Sequence, residues 1–196
     1  AKASPQLEIF KKKGIEVLLL VDRVDEWMLS HLREFDGKTL QAVSSDKIEL
    51  DEAPEAEGES LSAEASEGLC TWLKEHLANR VTAVRTGKRL VSSPALALLP
   101  EGEISPQMRQ MMKAMKKDDG LDAPEVILEI NAKSNLIKSL ATAKDKDNEI
   151  AMLIADQLLD NSLLAAGLIE DPQPIVSRSL KIMEALARSE EHTSEL

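Results

Sequence analysis

The 196-residue chain has no tyrosine and only four aromatic side chains, Phe10, Trp27, Phe35 and Trp72. Bases of single-stranded nucleic acid are held by stacking on aromatic rings, and few such platforms exist here. A net charge of -11 repels phosphate as well. Nucleic acid is therefore excluded as a partner. A single cysteine, Cys70, allows no internal disulfide, and His31, His76 and His192 stand too far apart for a zinc-ligand spacing. A reducing, cytoplasmic setting is expected. No apolar run reaches the roughly 18 to 20 residues of a membrane span, and the N-terminus lacks the charged-then-apolar pattern of a signal peptide. No membrane contact is expected. Ala1 in place of a start methionine points to a piece of a longer chain.

Catalytic patterns are also missing. The Gly87-Lys88 pair has Thr82 where the first glycine of a phosphate loop would stand. The serines and Cys70 lack a nucleophile elbow, and Cys70 falls on a helical pattern that suits a small buried residue. Asp25 and Glu26 are adjacent, so on a helix their carboxylates diverge. A hydrolase using Asp25, Glu26 or His31 in a cleft between domains is the alternative reading, with only composition behind it. The segment itself is read as no enzyme, with no cofactor and no metal.

An apolar fraction of 43% is enough to build a core. Ser4-Pro5 caps a short helix that Gly14 stops. "IEVLLLV", Ile15 to Val21, reads as a strand covered on both faces. Val24, Met28, Leu32 and Phe35 then form one helical stripe, and "KTLQAV" reads as a second strand. Together these predict a small α/β unit with parallel strands over 1–45. Between Asp46 and Gly68 nine acids face one lysine, Lys47, and 46–61 reads as a solvated acidic linker. Over 62–187 the patterns predict a helix through Leu69, Leu73 and Leu77, strands in "VTAVRTGKRLV", "PALALL" and "EVILEI", and helices at Ala132–Ala143, Asn148–Ala166 and Pro172–Ala187. The fold class is α+β: a small α/β unit, then an α+β domain ending in a helical bundle.

Two stretches offer apolar surface. "ISPQMRQMMKAMKK" holds four of the seven methionines, and Ile104, Met108, Met111, Met112 and Met115 share one helical stripe, with Arg109, Gln110, Lys113, Lys116 and Lys117 on the rest. Methionine is pliable and suits a surface that adapts to many apolar partners, although the stripe could equally pack on a sheet. Trp27 lies at the edge of its own stripe, beside Glu26, and reads as a contact residue. The second stretch is the final helix pair. Ile150, Leu153, Ile154, Leu158 and Leu163, with Val176, Leu180 and Met183, give more apolar face than one neighbour covers, as in a four-helix dimer interface.

The words "KKKGIEVL", "DEW" and "LREFDGK", followed by "NRVTAVRTGKRLVSSPA", "LEIN" and "LLAAGLIEDP", resemble the 90-kDa heat-shock protein chaperones, bacterial-type members most closely, over about Lys2 to Ala187. The resemblance implies the end of the middle domain (1–45) and the C-terminal dimerisation domain (62–187) of an ATP-driven, homodimeric, cytoplasmic chaperone. Its ATP and magnesium site would lie upstream of Ala1. Unfolded clients would contact Glu26, Trp27, Ile104, Met108, Met111, Met112 and Met115, and other chaperones could dock. "RSEEHTSEL", Arg188 to Leu196, does not resemble the family and reads as a translated sequencing adapter, a non-native tail.

Overall fold

The computed structural model of the chain describes residues 4–46, 48, 50, 59–100, 102–115, 125–169 and 171–191, without the side chains of Arg23, Glu26, Lys113 and 188–191. Most of the expected acidic linker and residues 192–196 of the expected tail lie outside the described residues.

Strands β3 (Val81–Thr86), β4 (Ala95–Leu98) and β5 (Val126–Ile130) form the main sheet, and the last in sequence is the central one. β5 runs parallel to β3 and antiparallel to β4. Because it is covered on both faces, "VILEI" reads as a nearly unbroken apolar run. Strand alternation divides the core. Ala95, Ala97, Val126, Leu128 and Ile130 face the helices α3 (Ala63–Leu77), α5 (Asn135–Lys146) and α6 (Asn148–Ala166), packing with Leu69, Leu73, Leu77, Ile137, Leu140, Ala155 and Leu159. On the other face Leu96, Leu98 and Ile127 cluster with Leu90. Glu129 is the exception in that row, a buried carboxylate held by Arg85 at 2.9 Å. Gly87 lies so close above it that a Cβ would stand 2.9 Å from the Cβ of Glu129. Only glycine leaves that carboxylate its place.

Caps set the helix ends. Ser62 Oγ accepts the Ala65 N–H at the start of α3. α6 stops at Gly167, which takes the left-handed conformation (φ 73°), and the Leu168 N–H closes back on the Leu163 carbonyl at 2.9 Å. The short turn folds α7 (Gln173–Glu191) back against α6 as a helical hairpin. α7 thus runs through Arg188 to Glu191, past the predicted end at Ala187.

A second lock crosses these helices. Asp160 of α6 is buried, and its two oxygens pair with Arg80, just after α3, and with Arg178 of α7. Arg80 also reaches Asp156 at 3.1 Å.

The N-terminal part departs from expectation. After the turn Pro5–Leu7 and helix α1 (Glu8–Lys12), the run Ile15 to Val21 is not a strand: it has no ladder partner among the described residues, and Leu18 and Val21 are exposed. A strand is defined by its neighbours, and no other strand of 4–46 lies beside this one. "KTLQAV" contributes only β2 (Lys38–Thr39), antiparallel to β1 (Glu34–Phe35) around the Asp36-Gly37 turn. The predicted parallel α/β unit is therefore replaced here by a helix and a small hairpin. Helix α2 (Arg23–His31) ends four residues short of Phe35.

Segment 4–12 docks on the main sheet instead. Leu7, Ile9 and Phe10 are buried, and the turn lies against β4. Glu8 Oε2 accepts the N–H groups of Val91, Ser92 and Ser93 at 3.1, 3.0 and 3.2 Å, and Oε1 accepts the Ser92 and Ser93 hydroxyls. Burial raises the pKa of Glu8, but the Ser93 hydroxyl and the three N–H groups outweigh it, leaving the carboxyl below its ordinary 4.5. The sign follows: a lowered folded pKa stabilises above the unfolded value and loses that stability as pH falls through the folded one. Acid unfolding below about pH 4.5 is accordingly expected to be shallower in Glu8→Gln than in the native chain. Equal slopes in urea titrations across that range would refute it.

Candidate functional site

α2 begins with a reciprocal cap: Asp25 Oδ2 accepts the Asp22 N–H at 2.8 Å. That carboxylate is engaged in helix structure, not poised for acid–base work. At the other end Ser30 Oγ donates to the Trp27 carbonyl at 2.7 Å, and His31 Nδ1 lies 2.8 Å from Ser30 Oγ. The His31 ring meets Trp27 edge to face, with centroids 5.5 Å apart. For the hydrolase alternative, the Ser30 hydroxyl and His31 Nδ1 are within reach of each other, but both are also engaged at the Trp27 carbonyl, and Asp25 caps the opposite end of the helix. Among the described residues no group of acids, histidines and cysteine could hold a metal.

The stripe expected to be packed is open. Val24, Trp27, Met28, His31 and Leu32 line a shallow, open apolar groove along one face of α2, and Trp27 is 65% exposed. With no sheet of the described residues packed on it, the face that sequence patterning assigned to packing joins Trp27 as accessible surface. Phe35, in β1, is exposed as well. The side chain of Glu26 is not among those described.

α2 lies beside helix α4 (Pro106–Ala114), which carries the methionines. Ser105 Oγ accepts the Met108 N–H at 3.1 Å, the expected cap. Met111 and Met115 are exposed, whereas Ile104, Met108 and Met112 are half-buried. Arg109 departs from the predicted polar face: it is buried and pairs with Glu103 at 3.5 Å. A long guanidinium side chain can pack its stem and still reach an acid at the helix start. The methionine stripe is thereby divided into an anchored edge and an offered one.

The second surface is the α6–α7 hairpin. α7 turns Ile175 and Arg178 inward, while Val176, Leu180, Met183 and Leu186 are all more than half exposed. At 3.6 residues per turn, the exposed apolar positions share one stripe that begins beside the inward Ile175. On α6, Ile150, Leu153 and Ile154 are half-buried. Leu158 and Leu163 stand apart: both are buried in the chain's own core and offer little area to a partner. Leu186, not singled out from sequence, continues the spacing of Val176, Leu180 and Met183, and that periodicity was the available signal. Leu164, on the outer side of α6, is exposed too.

A family model described as "Hsp90 protein" matches residues 1–195. Chaperone protein HtpG of Bordetella parapertussis is 47% identical over 185 residues, 91% of this chain and 28% of that protein. The same-named proteins of Serratia proteamaculans and Desulfotalea psychrophila are 41% and 39% identical, over 94% and 93% of this chain and 29% and 30% of their own lengths. The chain therefore spans less than a third of the curated relatives it matches. Across nearly its whole length, this chain belongs to the Hsp90 protein family.

Proposed function

We propose that this segment holds unfolded or partly folded client proteins on the joint surface of α2 and α4, and pairs with a second copy through the α6–α7 hairpin. The observation that carries the client site is the open apolar groove of Val24, Trp27, Met28, His31 and Leu32 beside the exposed methionines of α4. An unfolded client offers scattered apolar side chains in no fixed geometry. Flexible thioethers and one large indole accommodate such variety better than a shaped pocket does. Glu26, the residue before Trp27 in the sequence, is on this reading the acid that meets the basic residues of a client. On this reading 1–45 ends a middle domain, 46–61 links, and 62–187 dimerises, in a chaperone of the cytoplasm that other chaperones could also engage.

ATP and magnesium are implied by the family, but these residues do not fit them: the sequence has no glycine-rich phosphate loop, and the described residues have no metal-ligand cluster. On this reading nucleotide chemistry belongs to other parts of a full-length family member, of which this chain spans less than a third. Trp27→Arg, or Met111→Ser with Met115→Ser, is expected to weaken suppression of aggregation of heat-unfolded malate dehydrogenase by about 3- to 10-fold, the loss of one or two buried apolar anchors. Sedimentation should leave the oligomeric state unchanged. Full suppression by both variants would return these residues to a purely structural role.

A further inference from the structure

The loop between β3 and β4 grips the N-terminal part of the chain at two separate places. Its Val91, Ser92 and Ser93 N–H groups and two hydroxyls converge on the Glu8 carboxylate. Two residues earlier, Arg89 is buried, and its guanidinium donates to the carbonyls of Ser45, Asp46 and Ile48 at 2.7, 3.0 and 2.6 Å. The second grip is extended by backbone, since the Leu99 N–H donates to the Ser44 carbonyl at 3.1 Å and Ser45 bridges Leu99 in parallel. One short loop thus binds an anion with its backbone and a set of carbonyls with its cation. Both contacts are charge-assisted, and apart from the exposed Ser92 bonds they are partly shielded from water, a setting that strengthens such bonds.

The two gripped points are residue 8 and residues 45–48. Everything between them, including Trp27, forms an excursion whose ends are pinned to the same loop. Apart from these anchors, α2 touches the C-terminal part at α4, and its groove residues are exposed. We propose that Arg89–Ser93 is a two-point latch that holds residues 13–43 in one position and so fixes Trp27 beside the methionine helix. With both points engaged, the excursion is a closed loop of restricted reach. With one released it becomes a tether, and the effective concentration of α2 at α4 falls. The latch concerns where Trp27 sits and not what it binds, so its test needs no client.

The test uses the chain with Cys70→Ser and spin labels at Arg33→Cys beyond α2 and Gln107→Cys on α4, with distances read by pulsed electron resonance. The parent should give one narrow distribution. Glu8→Gln and Arg89→Gln should each broaden it, and the double variant should broaden it most, within the limits that buried Leu7, Ile9 and Phe10 and the Leu99–Ser44 bond still set. In parallel, hydrogen exchange at the Val91–Ser93 amides should accelerate about 10-fold or more in Glu8→Gln while 126–130 stays protected. Ser92→Ala with Ser93→Ala is the milder variant and should broaden the distances partially. A narrow distribution in the double variant with 126–130 protected overturns the latch. So does loss of protection at 126–130 in every variant, which would make these contacts part of the core.

Discussion

Leu180→Glu combined with Met183→Glu is expected to convert a dimer at tens of micromolar into a monomer. Both side chains lie on the outward stripe of α7, each more than half exposed in the single chain. Forcing a carboxylate into an apolar contact costs at least about 2 kcal/mol per site, and each 1.4 kcal/mol is tenfold in affinity. The pair should therefore weaken association by about 1,000-fold. Ser177→Glu, on the polar side of the same helix, adds a charge to α7 without touching the stripe and should leave the dimer intact. Sedimentation velocity over a dilution series separates the two. A native chain that is monomeric at the highest concentration, or a double variant that still pairs, removes the hairpin as the interface.

Asp160→Ala should be the most damaging single substitution at a charged position of this chain, at about 3 kcal/mol. Removing one member of a buried ion pair typically costs about 3 to 5 kcal/mol; here Arg178 loses the acid it faces, while Arg80 keeps Asp156. The lower end applies because the Arg80 side chain is 41% exposed and regains water, while the Arg178 side chain is only 18% exposed and does not. Asp156→Ala is the contrast. Its carboxylate pairs with the same Arg80 but is more open to solvent, so the change should cost less than about 1 kcal/mol. Urea unfolding at one fixed protomer concentration measures both, because pairing would otherwise shift the midpoint. Equal costs for the two aspartates would show that burial does not set the energy of this cluster.

Elements that carry their own signals were legible in the sequence. α6 spans Asn148–Ala166 as its periodicity and Gly167 predict, and "EVILEI" contains the central strand. These segments hold their caps and patterns locally. Ile15 to Val21 failed for the opposite reason: strand identity depends on a hydrogen-bonded neighbour, which periodicity cannot see. Tertiary charge pairing was equally hidden. Glu8 reads as one more acid on a short helix, and Arg89 as part of the expected strand "VTAVRTGKRLV", yet one fills a loop of N–H donors and the other, in the loop that follows the shorter β3, is buried against three carbonyls. Of the surfaces, the methionine helix was visible as an oddity of composition. The openness of the α2 groove was not, because its spacing is also that of a packed helix.

The order of strands in the main sheet bears on how the molecule assembles. β3 and β4 are the two edges, and β5, which joins them, is made last. During synthesis the first two strands leave the ribosome with no mate between them, and the methionine helix follows before the sheet can close. Its parallel pairing also links residues about 45 positions apart, a non-local contact of the kind that slows folding. For that interval the nascent chain exposes two unpaired strands and a methionine-rich helix at once, a combination prone to aggregate. A protein read here as a guardian of unfinished chains passes, while being made, through the hazard it guards against.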